Sequence, residues 1–428
     1  MADATDSERV IVVSVDSHVS PPAELLREYC AKEYLDEFDA FVASFVPSIN
    51  GLDPTVFFGD RYFEALISSQ MRPLMHYESA ERLVDMDADG IAAEVVFHGA
   101  VNGHVIPFYT VAGIPLHLPS SSREAELIVE GFRIYHRWLV DYCAAAPGRR
   151  CGLIHLPFWD LEASVALVEE GYDAGLMGVN LPSLRPGLLG YHNLHWEPLW
   201  QACAERDLSL SLHGAVAAVD LEQLAGENSG PLTGFEMQYW CRRALFFMIL
   251  GGVFDRHPNL NFVLTEQPTG WVRSALAELD DAADGPIFRH PNLAKKPSEY
   301  FQSNCYVGAS FMSRGDVRAA IEHEMEDRFF WGADYPHVEG TFPDSQLSLR
   351  YALEGVESED FIRGVCGLNA LQVFGFDRDH LQAVANRVGP TLGELRTPVS
   401  ASELPTGTSS LAFRDSQGWT QAEAVAAR

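Results

Sequence analysis

Three apolar runs, far apart in the chain, each finish in side chains able to hold a metal ion. VIVVSVDSH at 10–18 delivers Asp16 and His18, LSLSLHG at 208–214 delivers His213, and RFFWGADYPHVEG at 328–340 delivers Asp334. Asp16 and His18 are two apart, and side chains two apart on an extended strand point the same way. Two carboxylates and two imidazoles make a mixed oxygen and nitrogen set for one divalent ion, zinc ahead of manganese. Such a set leaves a coordination position for water or substrate. Taken singly, each residue is ordinary: an Asp-Ser-His triplet usually turns or caps a loop, and a histidine before glycine usually packs. Their joint arrival at strand ends is what points to a metal or catalytic site.

Other polar residues end or follow similar runs. Glu266 closes LNFVLTE, where it is a further ligand, a general base, a partner for a substrate group, or simply a salt-bridged buried acid. His98 ends the run at 91–98 and, with His104, flanks the glycine-bearing FHGAVNGH, facing substrate. Arg185 follows VNLP and either forks onto a substrate carboxylate or holds a loop. His337 is placed to orient Asp334 from behind. His155, His192, His195 and His257 read as structural, and Trp331 as core.

Positioning these groups needs a particular scaffold. Eight β-rich runs, at 10–16, 91–98, 151–158, 177–182, 208–213, 260–266, 303–310 and 328–334, alternate with helical patterns such as ESAERLVDMDADG at 78–90. Strands alternating with helices imply a parallel sheet, and eight of them imply closure into an α/β, (β/α)8 TIM barrel with its site at the strands' C-terminal ends. An open doubly wound sheet fits the periodicity too, although no GxGxxG follows the first run. Residues 19–77, with Phe57, Phe58, Tyr62, Phe63, Met71 and Met75, are too long for one connection and read as a capping insertion or oligomer contact. The barrel therefore occupies 1–377, and 378–428 form a Pro/Ser/Thr-rich extension.

Bulk composition excludes several function classes. Thirty basic against sixty acidic residues give a net charge of −30, which argues against nucleic acid or anionic membrane as partner. Seven scattered cysteines without a CxxC pair read as reduced thiols. MADATDSERV is not a secretory signal, and no run approaches the roughly 18 apolar residues of a membrane span. The expectation is a cytoplasmic protein acting on a small molecule.

Longer stretches carry a resemblance. DSHVSPPAEL at 16–25, RLVDMDADGIAAEVVF at 82–97, GVNLP at 178–182, HWEPLWQACAERDLSLSLHG at 195–214, GGVFDRHPNLNFVLTEQPTGWV at 251–272 and FFWGADYPHVEGTFP at 329–343 resemble the amidohydrolase superfamily. The branch is the one that includes aminocarboxymuconate semialdehyde decarboxylase and the resorcylate decarboxylases. With VCGLNALQVFGFD at 365–377 as a closing helix, the resemblance spans about residues 10–377. It implies metal ligation by Asp16, His18, His213 and Asp334, proton transfer by Asp334, and a homodimer. Two departures stand out: the first motif opens with Asp16, and Glu266 occupies the place of the decarboxylases' sixth-strand histidine.

Two enzymatic readings follow. One is metal-dependent, non-oxidative decarboxylation of an aromatic or enolic carboxylic acid, with Asp334 as proton donor. The other is hydrolysis of an amide, lactone or C–C bond, with Asp334 or Glu266 as general base. A third reading is a barrel that binds a ligand without turnover.

Overall fold

A computed structural model describes residues 7–45, 60–69, 71–109, 118–184, 187–214, 226, 228–287, 292–406 and 408–414. Phe57, Phe58 and Arg185 lie outside them, as do the side chains of Tyr62 and Phe63.

Eight strands run β1 Val13–Val19, β2 Ala93–His98, β3 Arg150–His155, β4 Gly178–Asn180, β5 Ser209–His213, β6 Phe262–Thr265, β7 Cys305–Ser310 and β8 Phe329–Gly332. They lie in chain order in one sheet, each parallel to the next. β1 meets β8 through a parallel bridge between Ser17 and Tyr335, with His18 N–H on Tyr335 O at 2.7 Å and Asp334 N–H on Asp16 O at 2.9 Å. The sheet therefore closes on itself, a (β/α)8 barrel. Strand order never reverses, which removes the doubly wound alternative.

The strands read as nearly continuous apolar runs because a parallel barrel buries both faces of its sheet. Val13, Val15, Val95, Leu153, Val263 and Phe330 pack in one cluster, while Val12, Val96, Ile154, Leu210, Phe262 and Phe329 pack in another with the surrounding helices. Those helices begin at sequence-encoded caps. Asp160 accepts from Ala163 N–H before Leu161–Asp173, and Ser313 with Asp316 forms a reciprocal capping box before Arg314–Glu322.

β1 starts three residues later than the apolar run and extends past it, so Asp16 and His18 lie inside the strand. The cause is pairing: Val10 N–H bonds Pro390 O, and the register with β2 begins only at Val13 opposite Ala93. That register shifts between Ser14 and Ser17, a bulge that re-aims the side chains after Val15.

Within 19–77, the helix Leu35–Ser44 buries Phe38 against Phe41 and Phe108, and Met75 is buried while Met71 is 80% exposed. Beyond residue 377 the chain wraps both ends of the barrel. The helix Arg378–Val388 packs Leu381, Val384 and Ala385 with Val13, Phe330 and Phe374. Leu411, Ala412 and Phe413 pack with Phe311 and Tyr351 beside the β7 and β8 loops. Among the described residues, no helix is long and apolar enough to cross a membrane.

Candidate metal centre

Asp16, His18, His213 and Asp334 come together from β1, β5 and the residue pair after β8, all buried, with one ligand atom from each lying within 4.8 Å of the others. His18 Nε2 stands 3.1 Å from Asp16 Oδ1 and 3.1 Å from Asp334 Oδ1. His213 Nε2 stands 3.1 Å from Asp16 Oδ1. Despite these distances, His18 Nε2 and both oxygens of Asp334 make no aligned hydrogen bond. Groups this close that do not aim at one another share a focus instead. Ligand bonds of about 2.0–2.2 Å put neighbouring donor atoms roughly 3–4 Å apart, so the set fits one divalent ion.

The surroundings set the tautomers that such an ion needs. His18 Nδ1 lies 3.2 Å from His98 O and donates to it, which leaves the Nε2 lone pair for the centre. His213 Nδ1 lies 3.4 Å from Glu266 Oε2, which places that carboxyl group behind the ring without an aligned hydrogen bond. Ser310 Oγ, at the end of β7, donates to Asp16 Oδ2 and fixes that carboxylate. His337 stacks on His18 with ring centroids 4.1 Å apart, and its Nδ1 is 2.9 Å from Asp334 Oδ1.

Charge follows from this crowding. Burial alone would raise Asp16, but His213 and His18 hold its carboxyl well below the usual range. Burial would likewise lower His18, yet Asp16 and Asp334 raise it to about 10. A proton on His18 therefore sits among the donors where a cation fits, and metal binding must release it. Asp334 is pulled up by burial and held down by His337 and His18, with a net fall. Glu266 goes the other way: burial, then the charges of Asp334 and Asp16, push it well above the carboxylate range. Two buried carboxyls with opposite proton preferences thus flank one focus.

Backbone strain gathers at the same mouth. Glu266 has φ 59°, Phe311 φ 44° and Asp334 φ 55°. The left-handed region costs a non-glycine residue on the order of 1–3 kcal/mol and persists where surrounding contacts enforce it.

The remaining sequence expectations divide. His98 ends β2 at the rim, with Nδ1 buried and lacking a hydrogen bond, while burial and His155 lower its pKa. His104 Nδ1 is also buried without a partner. His155 Nε2 accepts from His98 N–H at 3.4 Å, a supporting contact rather than one in the donor set. His257 pairs with Glu197 at 2.8 Å, and Trp331 is core. Two neighbours escaped the sequence reading. Ser310 gives no local signal, whereas Glu339, two residues after His337, stood in plain view within DYPHVEG.

The barrel and its buried donor set define a metal-dependent enzyme. The chain belongs to the amidohydrolase family, whose model matches residues 119–376. A comparison with curated proteins gave no match. Among solved structures, 5-carboxyvanillate decarboxylase from Sphingomonas paucimobilis is similar, with TM-score 0.60 and 21% identity over 86% of this chain and 100% of that one. The 2,6-dihydroxybenzoate decarboxylase from Rhizobium gives TM-score 0.58 and 19% identity over 86% and 99%. The 5-carboxyvanillate decarboxylase from Novosphingobium aromaticivorans, complexed with manganese and a nitrobenzoic acid, gives TM-score 0.62 and 16% identity over 87% and 100%. At these identities the likeness is one of fold.

Proposed function

We propose that this protein decarboxylates a small aromatic or enolic carboxylic acid without an oxidant, using one divalent ion held by Asp16, His18, His213 and Asp334. The observation that carries the reading is the Asp334–His337 pair beside the donor set, 2.9 Å apart. When bound, the ion supplies Lewis-acid stabilisation of negative charge on the substrate's oxygens. Burial opposes a proton on His337, yet Asp334 raises its pKa to about 9, so a proton is stored next to that carboxyl. Asp334 relays this proton from His337 to the carbon that loses CO₂, and His337 takes a proton back from solvent after CO₂ leaves. Glu266, which burial keeps protonated, offers an O–H donor to a substrate oxygen. His98, at the rim, is assigned to substrate contact, and so is Arg185 on its place in the sequence after VNLP. The folds of manganese-bound aromatic-acid decarboxylases support this substrate class, and either zinc or manganese suits the donors.

A second reading is hydrolysis of an amide, lactone or C–C bond. It draws on Glu266 Oε2, 3.4 Å from His213 Nδ1, where a carboxyl group rather than an imidazole meets the fifth-strand ligand. There Asp334, or Glu266 once it has lost its own proton, takes the proton of an attacking water. A cytoplasmic setting agrees with seven unpaired cysteines, and a homodimer with the exposed Leu232, Phe235 and Tyr239 along one face of the helix Ser229–Leu250.

The test loads the protein with Mn²⁺ or Zn²⁺ and offers carboxyl-labelled hydroxybenzoates in D₂O. Labelled CO₂ with deuterium at the vacated carbon is expected. Acid release from esters, amides or lactones, with no CO₂ from any acid, would sink decarboxylation in favour of hydrolysis.

A further inference from the structure

We propose that Arg242, held by Gln267 and Trp271 beside the metal centre, binds a second carboxylate of the substrate, which is therefore an aromatic or enolic dicarboxylic acid. The inference rests on the proposed decarboxylation, in which the ion takes the oxygens at the reacting carbon and leaves any further charge to the protein.

The helix Ser229–Leu250 lies across the end of β5, where Cys241 Sγ donates to Gly214 O at 3.0 Å. Arg242 follows Cys241, and Gln238 lies one turn earlier on the same face of the helix. Arg242 Nε donates to Gln267 Oε1 at 2.9 Å, and Gln267 Nε2 donates to Gln238 Oε1. Gln267 is the buried residue after Glu266, and its own N–H bonds Gly308 O at 3.1 Å. A Cβ on Gly214 would stand 3.0 Å from Glu266 Oε2 and 3.2 Å from Gln238 Nε2, so both side chains border one small space just past β5. A polar row thus leads from His213 through Glu266, Gln238 and Gln267 to Arg242.

Arg242 is the member of that row with nothing to neutralise it. The chain has sixty acidic residues against thirty basic ones, and the comparably half-buried Arg206, Arg350 and Arg363 each reach a carboxylate within 3.1 Å. Among the described residues no carboxylate pairs with Arg242, and the groups that act on its charge are Cys241 and Tyr239. Burial pulls its pKa down to about 10, so the guanidinium is still charged at pH 7. A charge drawn partly out of water without a partner is costly, and a bound anion would remove that cost.

The guanidinium is also held in place. Its Cζ stands 4.6 Å from the centre of the Trp271 ring, and its Nε is committed to Gln267. Both Nη nitrogens are left without a hydrogen bond among the described residues, and neither is shut off from solvent. Two parallel N–H donors on a fixed plane match the two oxygens of a carboxylate.

The experiment titrates manganese-loaded protein by calorimetry with benzoate and with phthalate, isophthalate and terephthalate, so that binding is read without turnover. At least one of the three dicarboxylates should bind about 10-fold more tightly than benzoate. Arg242→Met should bring that ratio close to one, and Arg242→Lys, which keeps the charge without the fork, should fall between. A wild type that prefers none of the three, or an Arg242→Met variant that keeps the preference, would overturn the inference. A preference that Arg242→Met removes, in a protein that releases CO₂ from no acid, would leave the carboxylate subsite standing and refute the decarboxylation alone.

Discussion

His18 Nε2 and Asp334 Oδ1 approach to 3.1 Å across the seam between the first and last strands, yet neither atom has an aligned hydrogen bond. Both atoms are buried, so each forgoes solvent as well. Binding of an ion to the folded chain alone should raise thermal stability, by about 2.7 kcal/mol at a free concentration 100 times Kd. Melting curves with and without Mn²⁺ or Zn²⁺ measure this. His18→Ala should abolish the increase, and an equal increase in that variant would count against His18 as a ligand.

Gly332, the last residue of β8, stands beside the centre without touching it. A Cβ there would lie 2.9 Å from Asp16 Cβ and 3.3 Å from Asp16 N. Gly332→Ala should therefore push β1 away and cost roughly 1–3 kcal/mol in overpacking. Metal affinity should fall with it, since Asp16 is displaced. Urea denaturation and metal titration together check this, and unchanged metal affinity would refute the link to Asp16.

Asp89 predicts a pH dependence remote from the metal. Burial raises its pKa to about 7, against a partial offset from Ser345, whose N–H donates to Oδ1 at 3.0 Å. The folded state thus keeps a proton that the unfolded chain, with a carboxyl near 3.9, gives up. Stability from this group is fully present below about pH 4 and is lost as pH rises toward 7. Asp89→Asn mimics the neutral form and accepts the same N–H. Its urea midpoint should gain on wild type between pH 4 and 7, and parallel pH profiles would exclude Asp89 as the source.

Glu94 on β2 bridges two buried arginines. Its Oε2 takes Arg82 Nε at 2.9 Å and Nη2 at 2.6 Å, and its Oε1 takes Arg150 Nε at 3.1 Å. Arg82 also reaches the backbone carbonyl of His18 at 3.3 Å, which ties this network to the metal strand. Glu94→Leu leaves two guanidinium groups without a counter-charge and should cost about 3–5 kcal/mol. Denaturation at pH 7 gives the value, and a loss below 1 kcal/mol would contradict it.

The C-terminal segment should matter to the site although none of its described residues is among the four ligands. Ser409 Oγ donates to Val338 O, Leu411 N–H to Glu339 O, and Arg414 Nη1 to Phe311 O at 2.7 Å. Deleting residues 408–428 removes these ties from the loops after β7 and β8. Losses of supporting contacts around a metal commonly cost about 10–100-fold in affinity, and a fall of that order is expected. Metal titration of the truncated chain decides it.

Much of this was legible because the relevant signals are local. A β-branched run ending in Asp or His states both that a strand exists and what it presents, and parallel strands in chain order bring such ends to one mouth. Glu266 could be placed by the same rule, although its role could not, because burial and neighbouring charge set its proton affinity. Ser310 was invisible, since a serine closing a strand is commonplace until Asp16 lies beside it. The start of β1 is not legible because Val10–Val12 are as apolar as the strand itself, while Val10 N–H pairs with Pro390 O outside the sheet. Arg185 falls outside the described residues.

The seam has one more consequence. β1 and the segment after β8 are joined by the Ser17–Tyr335 bridge and two flanking backbone bonds, while carboxylate oxygens of Asp16 and Asp334, one from each side, lie within 4.8 Å of each other. An ion gripping both would act as a clasp, fastening the beginning of the chain to its end. Exchange of the Asp334 and His18 amide hydrogens should then slow when metal is added, making the barrel's closure itself a gauge of whether the centre is filled.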